Sequence, residues 1–238
     1  MDLKIIYEDN NLLVVDKPAG IIVFPEGKNN NDNQNQTIID LLIEGYPELV
    51  ETGFPPRYGI IHRIDKDTSG ILLVAKNNDA LNFFQEQFKT RQVQKKYIAL
   101  VVGNIKQDSE IIETLIGRSP QNRLKQKVFS EIESGPGKRT AITKYRVLTR
   151  YKDFTLLEVM PKTGRKHQIR CHLSYINHPI AGDKLYGFKN QPCPNGLTRH
   201  FLHASYIKIK MQKNNEEEFK SALPEDLAKI LEKLEKKE

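Results

Sequence analysis

The chain has 238 residues, enough to bury a sizeable core, and a single domain is the simplest expectation. Hydrophobic residues at 38% and charged residues at 28% are those of a folded globular protein, which excludes disorder except locally. Lys and Arg number 37 against 30 Asp and Glu, and the resulting charge of +7 favours a polyanionic partner.

Cys171 and Cys193 are the only cysteines, too few for a disulfide scaffold, and they point to a reducing cytoplasm. Charged residues interrupt every apolar run of the N-terminus, so no signal peptide is read there, and no run approaches the roughly 18 residues that span a bilayer. No membrane partner is expected.

In chain order, IIYED (5–9) and LLVVDK (12–17) are rich in β-branched residues and flank Asn10-Asn11, the pattern of a β-hairpin. KNNNDNQNQ (28–36) has no apolar residue to bury and reads as a mobile loop. Thr37 with Asp40 then opens TIIDLLIEGYPELV, where Ile38, Leu41, Leu42 and Tyr46 recur at helical spacing behind a capping residue. The stretch GIIHRIDKDTSGILLVAK (59–76) predicts strand, charged loop, strand, with Thr68-Ser69-Gly70 as the turn. A helix follows, with Asn78 as its cap and Leu81, Phe84 and Phe88 on one face.

KKYIALVVG reads as a strand and the segment from Gly117 to Lys127 as a basic loop. TAITKYRVLTRY and FTLLEVMP form an antiparallel pair joined at Lys152-Asp153, and HQIRCHLSYI (167–176) a helix stopped by His178-Pro179. Residues 223–238 give an amphipathic C-terminal helix with Glu and Lys at i,i+4 spacing. Hairpin-like strand pairs with a few helices make the fold class α+β, with a mixed and largely antiparallel sheet flanked by helices and loops.

The chemistry-bearing residues are uneven in their signal. His167 and His172 lie five apart, which turns them roughly 140° from each other on a helix, and no CxxC or HExxH accompanies them, so no metal is expected. GPGKRT (135–140) lacks the first glycine and the Ser or Thr of a phosphate loop. Ser69 sits in TSG, outside the GxSxG context of a nucleophilic serine.

Basic residues gather instead at 89–96, 117–127 and 162–170, which together make a nucleic-acid surface or three solvated faces. HRIDKD crowds charge between two apolar runs that would hold it rigidly. Asp65 lies between Arg63 and Lys66, whose charge would keep it ionised, and an ionised carboxylate acts as nucleophile or base.

HRIDKDTSGILLVAK resembles the active-site signature of the RluA family of RNA pseudouridine synthases. LLVVDKPAGIIV (12–23), KKYIALV (95–101), TGRKHQIRCHLSYINHPIAGDKLYG (163–187) and LHA (202–204) are similar to that family's other motifs, in the same order. The resemblance implies an α+β pseudouridine synthase catalytic fold with a central RNA-binding cleft. Some relatives carry a small basic RNA-binding domain ahead of it, and the expectation for this chain departs from them in being the catalytic domain alone. The resemblance also implies isomerisation of specific uridines in ribosomal or transfer RNA to pseudouridine, with no cofactor. A monomer is expected separately, because no exposed apolar stripe stands out beyond the C-terminal helix.

Carried over residue by residue, the resemblance puts the catalytic aspartate at Asp65, the active-site tyrosine at Tyr97 and the aspartate's basic partner at Arg170. Arg63 matches the arginine that enters the RNA helix where the target nucleotide leaves, and further RNA contacts fall on His62, Lys96, Arg165 and His167. Asp65 would attack the sugar C1′ or remove the 2′ proton; both routes stay open. Lys17 falls in the N-terminal motif as support for the active-site wall, and Gly164, Gly182 and Gly187 serve backbone geometry.

Overall fold

The computed structural model describes residues 3–25, 36–212 and 215–237, so the loop expected at 28–36 lies, except for Gln36, outside the described residues. The chain divides into two compact units, residues 1–94 with 204–222 and residues 95–203 with 223–238.

In the first unit the predicted hairpin is present as β1 (Lys4–Glu8) and β2 (Leu12–Lys17), and β2 pairs in turn with β3 (Ser69–Ala75), all antiparallel. Between them α1 (Ile38–Gly45) starts on the expected capping box, in which the Thr37 hydroxyl and the Asp40 carboxylate each satisfy the other's backbone N–H. The helix stops earlier than its apolar period predicts, because Pro47 opens a separate 3-10 turn over Pro47–Glu51. α2 (Asn78–Lys89) follows β3, capped by Asn77 rather than Asn78.

β2 and β3 are buried on both faces, which is why they read as continuous apolar runs. Leu12, Val14, Ile71 and Leu73 pack with Ala80, Leu81 and Phe84 of α2, while Leu13, Val15, Leu72 and Val74 pack with Ile38, Ile39 and Leu42 of α1. Burial of each such side chain contributes about 1.5–3 kcal/mol.

The second unit holds β4 (Gln94–Val102), β5 (Ser109–Arg118), β6 (Gln126–Phe129), β7 (Arg139–Arg150) and β8 (Phe154–Pro161). They run in the order β4-β8-β7-β5-β6, each pairing antiparallel. The basic stretch read as a loop is the end of β5, a turn and the start of β6. α3 (Gln168–Tyr175) buries Ile169 and Leu173 against Leu100, Leu157 and Val159.

Beyond it, β9 (Leu202–Lys210) starts in the second unit, continues into the first and pairs with β10 (Glu216–Lys220). α4 (Glu225–Glu232) is shorter than the helix expected over 223–238. The chain leaves it to bond with the turn after β7: Lys152 N–H donates to Glu235 O and Lys237 N–H to Arg150 O. The architecture is α+β, as the sequence predicts.

Candidate active site

Residues 61–68, in the first unit, form a loop between an isolated bridge, Ile60 to Val74, and the start of β3. Thus the strand expected before the charged segment shrinks to that bridge. The turn is made at Lys66-Asp67, with Thr68 N–H donating to Asp65 O at 3.1 Å, and Ser69 and Gly70 already belong to β3. Gly70 has φ 111°, and a Cβ there would collide with the Ala204 carbonyl, so the glycine serves close strand packing.

Apolar anchors and polar clamps fix this loop. Ile60, Ile61 and Ile64 are buried while Arg63 is exposed and Asp65 half-buried. From below, the fully buried Lys17 ammonium donates to the carbonyls of Pro18 (2.7 Å), Ile21 (2.8 Å) and Lys66 (2.9 Å), and Gly20 N–H also donates to Lys66 O. The His62 ring stacks on Phe88 at 4.8 Å, and its Nε2 accepts from Leu73 N–H, which leaves the ring proton on Nδ1.

Arg63 and Arg57 both lie over the Phe24 ring, at 5.5 and 5.2 Å from its centroid. Although the Arg63 side chain is exposed, the protein around its guanidinium desolvates it and lowers its pKa from the ordinary value, the nearby Asp65 carboxylate opposing the shift; an arginine starts so far above neutrality that it stays a cation.

In the second unit, Tyr97 is on β4 opposite Val159, half-buried and packed against the apolar core. Its neighbours on β4 are Lys96, whose ammonium is 3.5 Å from Glu158, and Lys95, which burial pushes down to about 8. Arg165 donates through Nε to Thr140 O, and its backbone N–H to Gln168 Oε1. His167 caps α3 with φ 54°, a left-handed conformation rare outside glycine, and its Nδ1 is 3.0 Å from the Tyr186 hydroxyl.

Arg170 is buried one turn into α3, and its guanidinium forms a bidentate pair with Asp183, Nε to Oδ2 at 2.8 Å and Nη2 to Oδ1 at 2.9 Å. Burial raises the Asp183 carboxyl, but the Arg170 guanidinium and the Tyr186 N–H outweigh it and hold the group below its ordinary value. Sequence reasoning assigned Arg170 to Asp65 and did not name Asp183. The signal lay in the GDKLYG segment, where only the glycines were given a role.

His172, on the same helix, is fully buried between two threonine hydroxyls, Thr143 at 2.9 Å from Nδ1 and Thr114 at 3.0 Å from Nε2. The two histidines of α3 therefore serve different neighbours.

A family model described as RNA pseudouridylate synthase matches residues 11–175, which hold Asp65, Tyr97 and Arg170. The chain belongs to the RNA pseudouridylate synthase family. It is similar to a ribosomal large subunit pseudouridine synthase D of Nitrosomonas europaea, 38% identical over 96% of this chain and 64% of that one. An uncharacterised RNA pseudouridine synthase of Bacillus subtilis is 40% identical over 99% of this chain and 74% of that one. This synthase-family chain thus spans about two thirds to three quarters of the length of these relatives. Among solved structures, human RNA pseudouridylate synthase domain containing 4 superposes with a TM-score of 0.78 at 26% identity, covering 98% of this chain and 94% of that one.

Proposed function

We propose that this chain isomerises specific uridines in ribosomal or transfer RNA to pseudouridine. One observation carries the reading: the HRIDKD segment, in a chain of this family, is a rigid loop that holds the Asp65 carboxylate half-buried beside a cationic Arg63. The name of the Nitrosomonas europaea relative, a ribosomal large subunit pseudouridine synthase D, favours ribosomal RNA as the substrate.

In the reaction the glycosidic N1–C1′ bond breaks, the uracil rotates, and a C5–C1′ bond forms while C5 gives up its proton and N1 takes one up. Asp65 supplies the carboxylate, as base at the 2′ position or as nucleophile at C1′; both require it ionised. Arg170 acts as its basic partner, and Tyr97 packs against the uracil and takes or returns the C5 proton. A stacked uridine is out of reach of these groups, so it is flipped out at a cost of a few kcal/mol. Arg63 fills the vacated space and offsets part of that cost, with His62, Lys96, Arg165 and His167 as further RNA contacts.

The reading includes a cytoplasmic location, supported by two unpaired cysteines, one buried and one exposed, and a monomeric chain. Asp65→Asn is expected to abolish pseudouridine formation while leaving RNA binding and the unfolding midpoint near wild type. Mapping pseudouridine across total RNA from cells with and without the protein identifies the target; turnover by the Asp65→Asn variant at the wild-type rate rejects the assignment.

A further inference from the structure

The segment from Gly182 to Gly187 is a turn built around one buried carboxylate. Besides the two bonds from Arg170, Asp183 Oδ1 accepts from the backbone N–H groups of Leu185 at 2.9 Å and Tyr186 at 3.0 Å. Its chain position is fixed by Gly182, whose φ of 74° and close approach to the Arg199 carbonyl exclude a side chain there.

The same turn delivers the Tyr186 ring to 5.1 Å from Arg170 Cζ. That ring is held at its other end, where the hydroxyl accepts from Gln126 N–H at 2.7 Å and meets His167 Nδ1 at 3.0 Å. The Arg170 guanidinium is therefore gripped along its Nε–Nη2 edge and sided by an aromatic ring. Because the guanidinium is planar, fixing that edge also fixes the direction of Nη1 on the other edge.

We infer that Asp183 is a positioning residue for the reaction: it sets the orientation in which the Arg170 fork serves the catalytic carboxylate. The inference rests on the reading of Arg170 as the basic partner of Asp65. A buried carboxylate is costly without partners, and Asp183 commits its hydrogen bonds to this one turn and this one arginine. A lysine at position 170 would keep the charge but lose the two-point grip.

The test is a double-mutant cycle with Asp183→Asn and Arg170→Lys, reading kcat, KM and unfolding midpoint on an RNA substrate. Asp183→Asn is expected to lower kcat about 10- to 100-fold, the scale of a misplaced catalytic group, with KM within about threefold of wild type. Arg170→Lys should show a similar loss, and the double variant should lose no more than the worse single, because both remove one interaction. A folded Asp183→Asn variant with wild-type kcat, or losses that multiply in the double variant, overturns the inference. If Asp183→Asn does not fold, Arg170→Lys decides, since wild-type kcat in that variant shows that a gripped fork is not needed. Asp65→Asn, run alongside, separates the two readings: its full activity would reject the proposed site itself, whatever Asp183 does.

Discussion

Lys17 is a buried support of the loop that carries Asp65. Its ammonium is fully buried and satisfies three carbonyls, one of them Lys66 O in that loop. Lys17→Met keeps the volume and removes every donor, taking this partner from the Pro18 and Ile21 carbonyls at about 1–3 kcal/mol each before relaxation, while Lys66 O keeps the Gly20 N–H. The expected result is a loss of roughly 3 kcal/mol in urea unfolding and a lower kcat, because the loop loses its anchor from below. A variant with wild-type stability and turnover would show that the Gly20 N–H bond to Lys66 O holds the loop alone. At this scale the sequence was informative where a motif is local. Asp65 and Arg63 stand two apart in one loop, whereas Asp183 reaches Arg170 across 13 residues and a helix end, a pairing that no spacing rule exposes.

Helix α3 carries two kinds of histidine, and the buried one gives the fold a pH dependence. Burial pushes His172 down to about 4, so its imidazole is neutral in the folded protein between two threonine hydroxyls. The unfolded chain takes up that proton near pH 6.5 and the folded one only near 4, so more protons are bound by the unfolded state in between and stability falls as pH drops through that window. The full loss is about 3 kcal/mol, at roughly 1.4 kcal/mol per pH unit. Thermal unfolding of wild type between pH 7 and 4 should show this fall, and His172→Gln, which cannot titrate, should flatten it. A profile of equal slope in both proteins would assign the acid sensitivity elsewhere. Elements with a strong local period were legible, α2 and the β7–β8 pair among them. Boundaries failed where backbone pairing decided them, as at Ile60, where one bridge replaces a strand, and after Glu232, where the chain bonds to the turn beyond β7. β9 carries its own alternation, Ile207 and Ile209 against Lys208 and Lys210, and only its LHA start was assigned.

Over the whole molecule, the division into two units could not be read from composition, because neither unit is contiguous. The chain changes unit within β4, within β9 and again after Ala222, so no linker separates them and a single domain was the natural expectation. Charge is the molecular property that was legible, and its placement makes a test. The β5–β6 hairpin exposes Arg118 at the end of β5, Arg123 in the turn and Lys127 on β6, with the Lys127 ammonium 5.3 Å from the Phe129 ring centroid. If these groups contact phosphates, each contact releases counterions and adds about 0.7–0.9 to the slope of log binding constant against log salt. Replacing all three with Gln should therefore weaken RNA binding at low salt and flatten that slope by about 2. Lys229→Gln with Lys233→Gln on and after α4 removes charge from a different element and should leave the slope close to wild type. Equal flattening by both sets would mean that RNA responds to net charge alone, and the β5–β6 hairpin would lose its claim to be a contact surface.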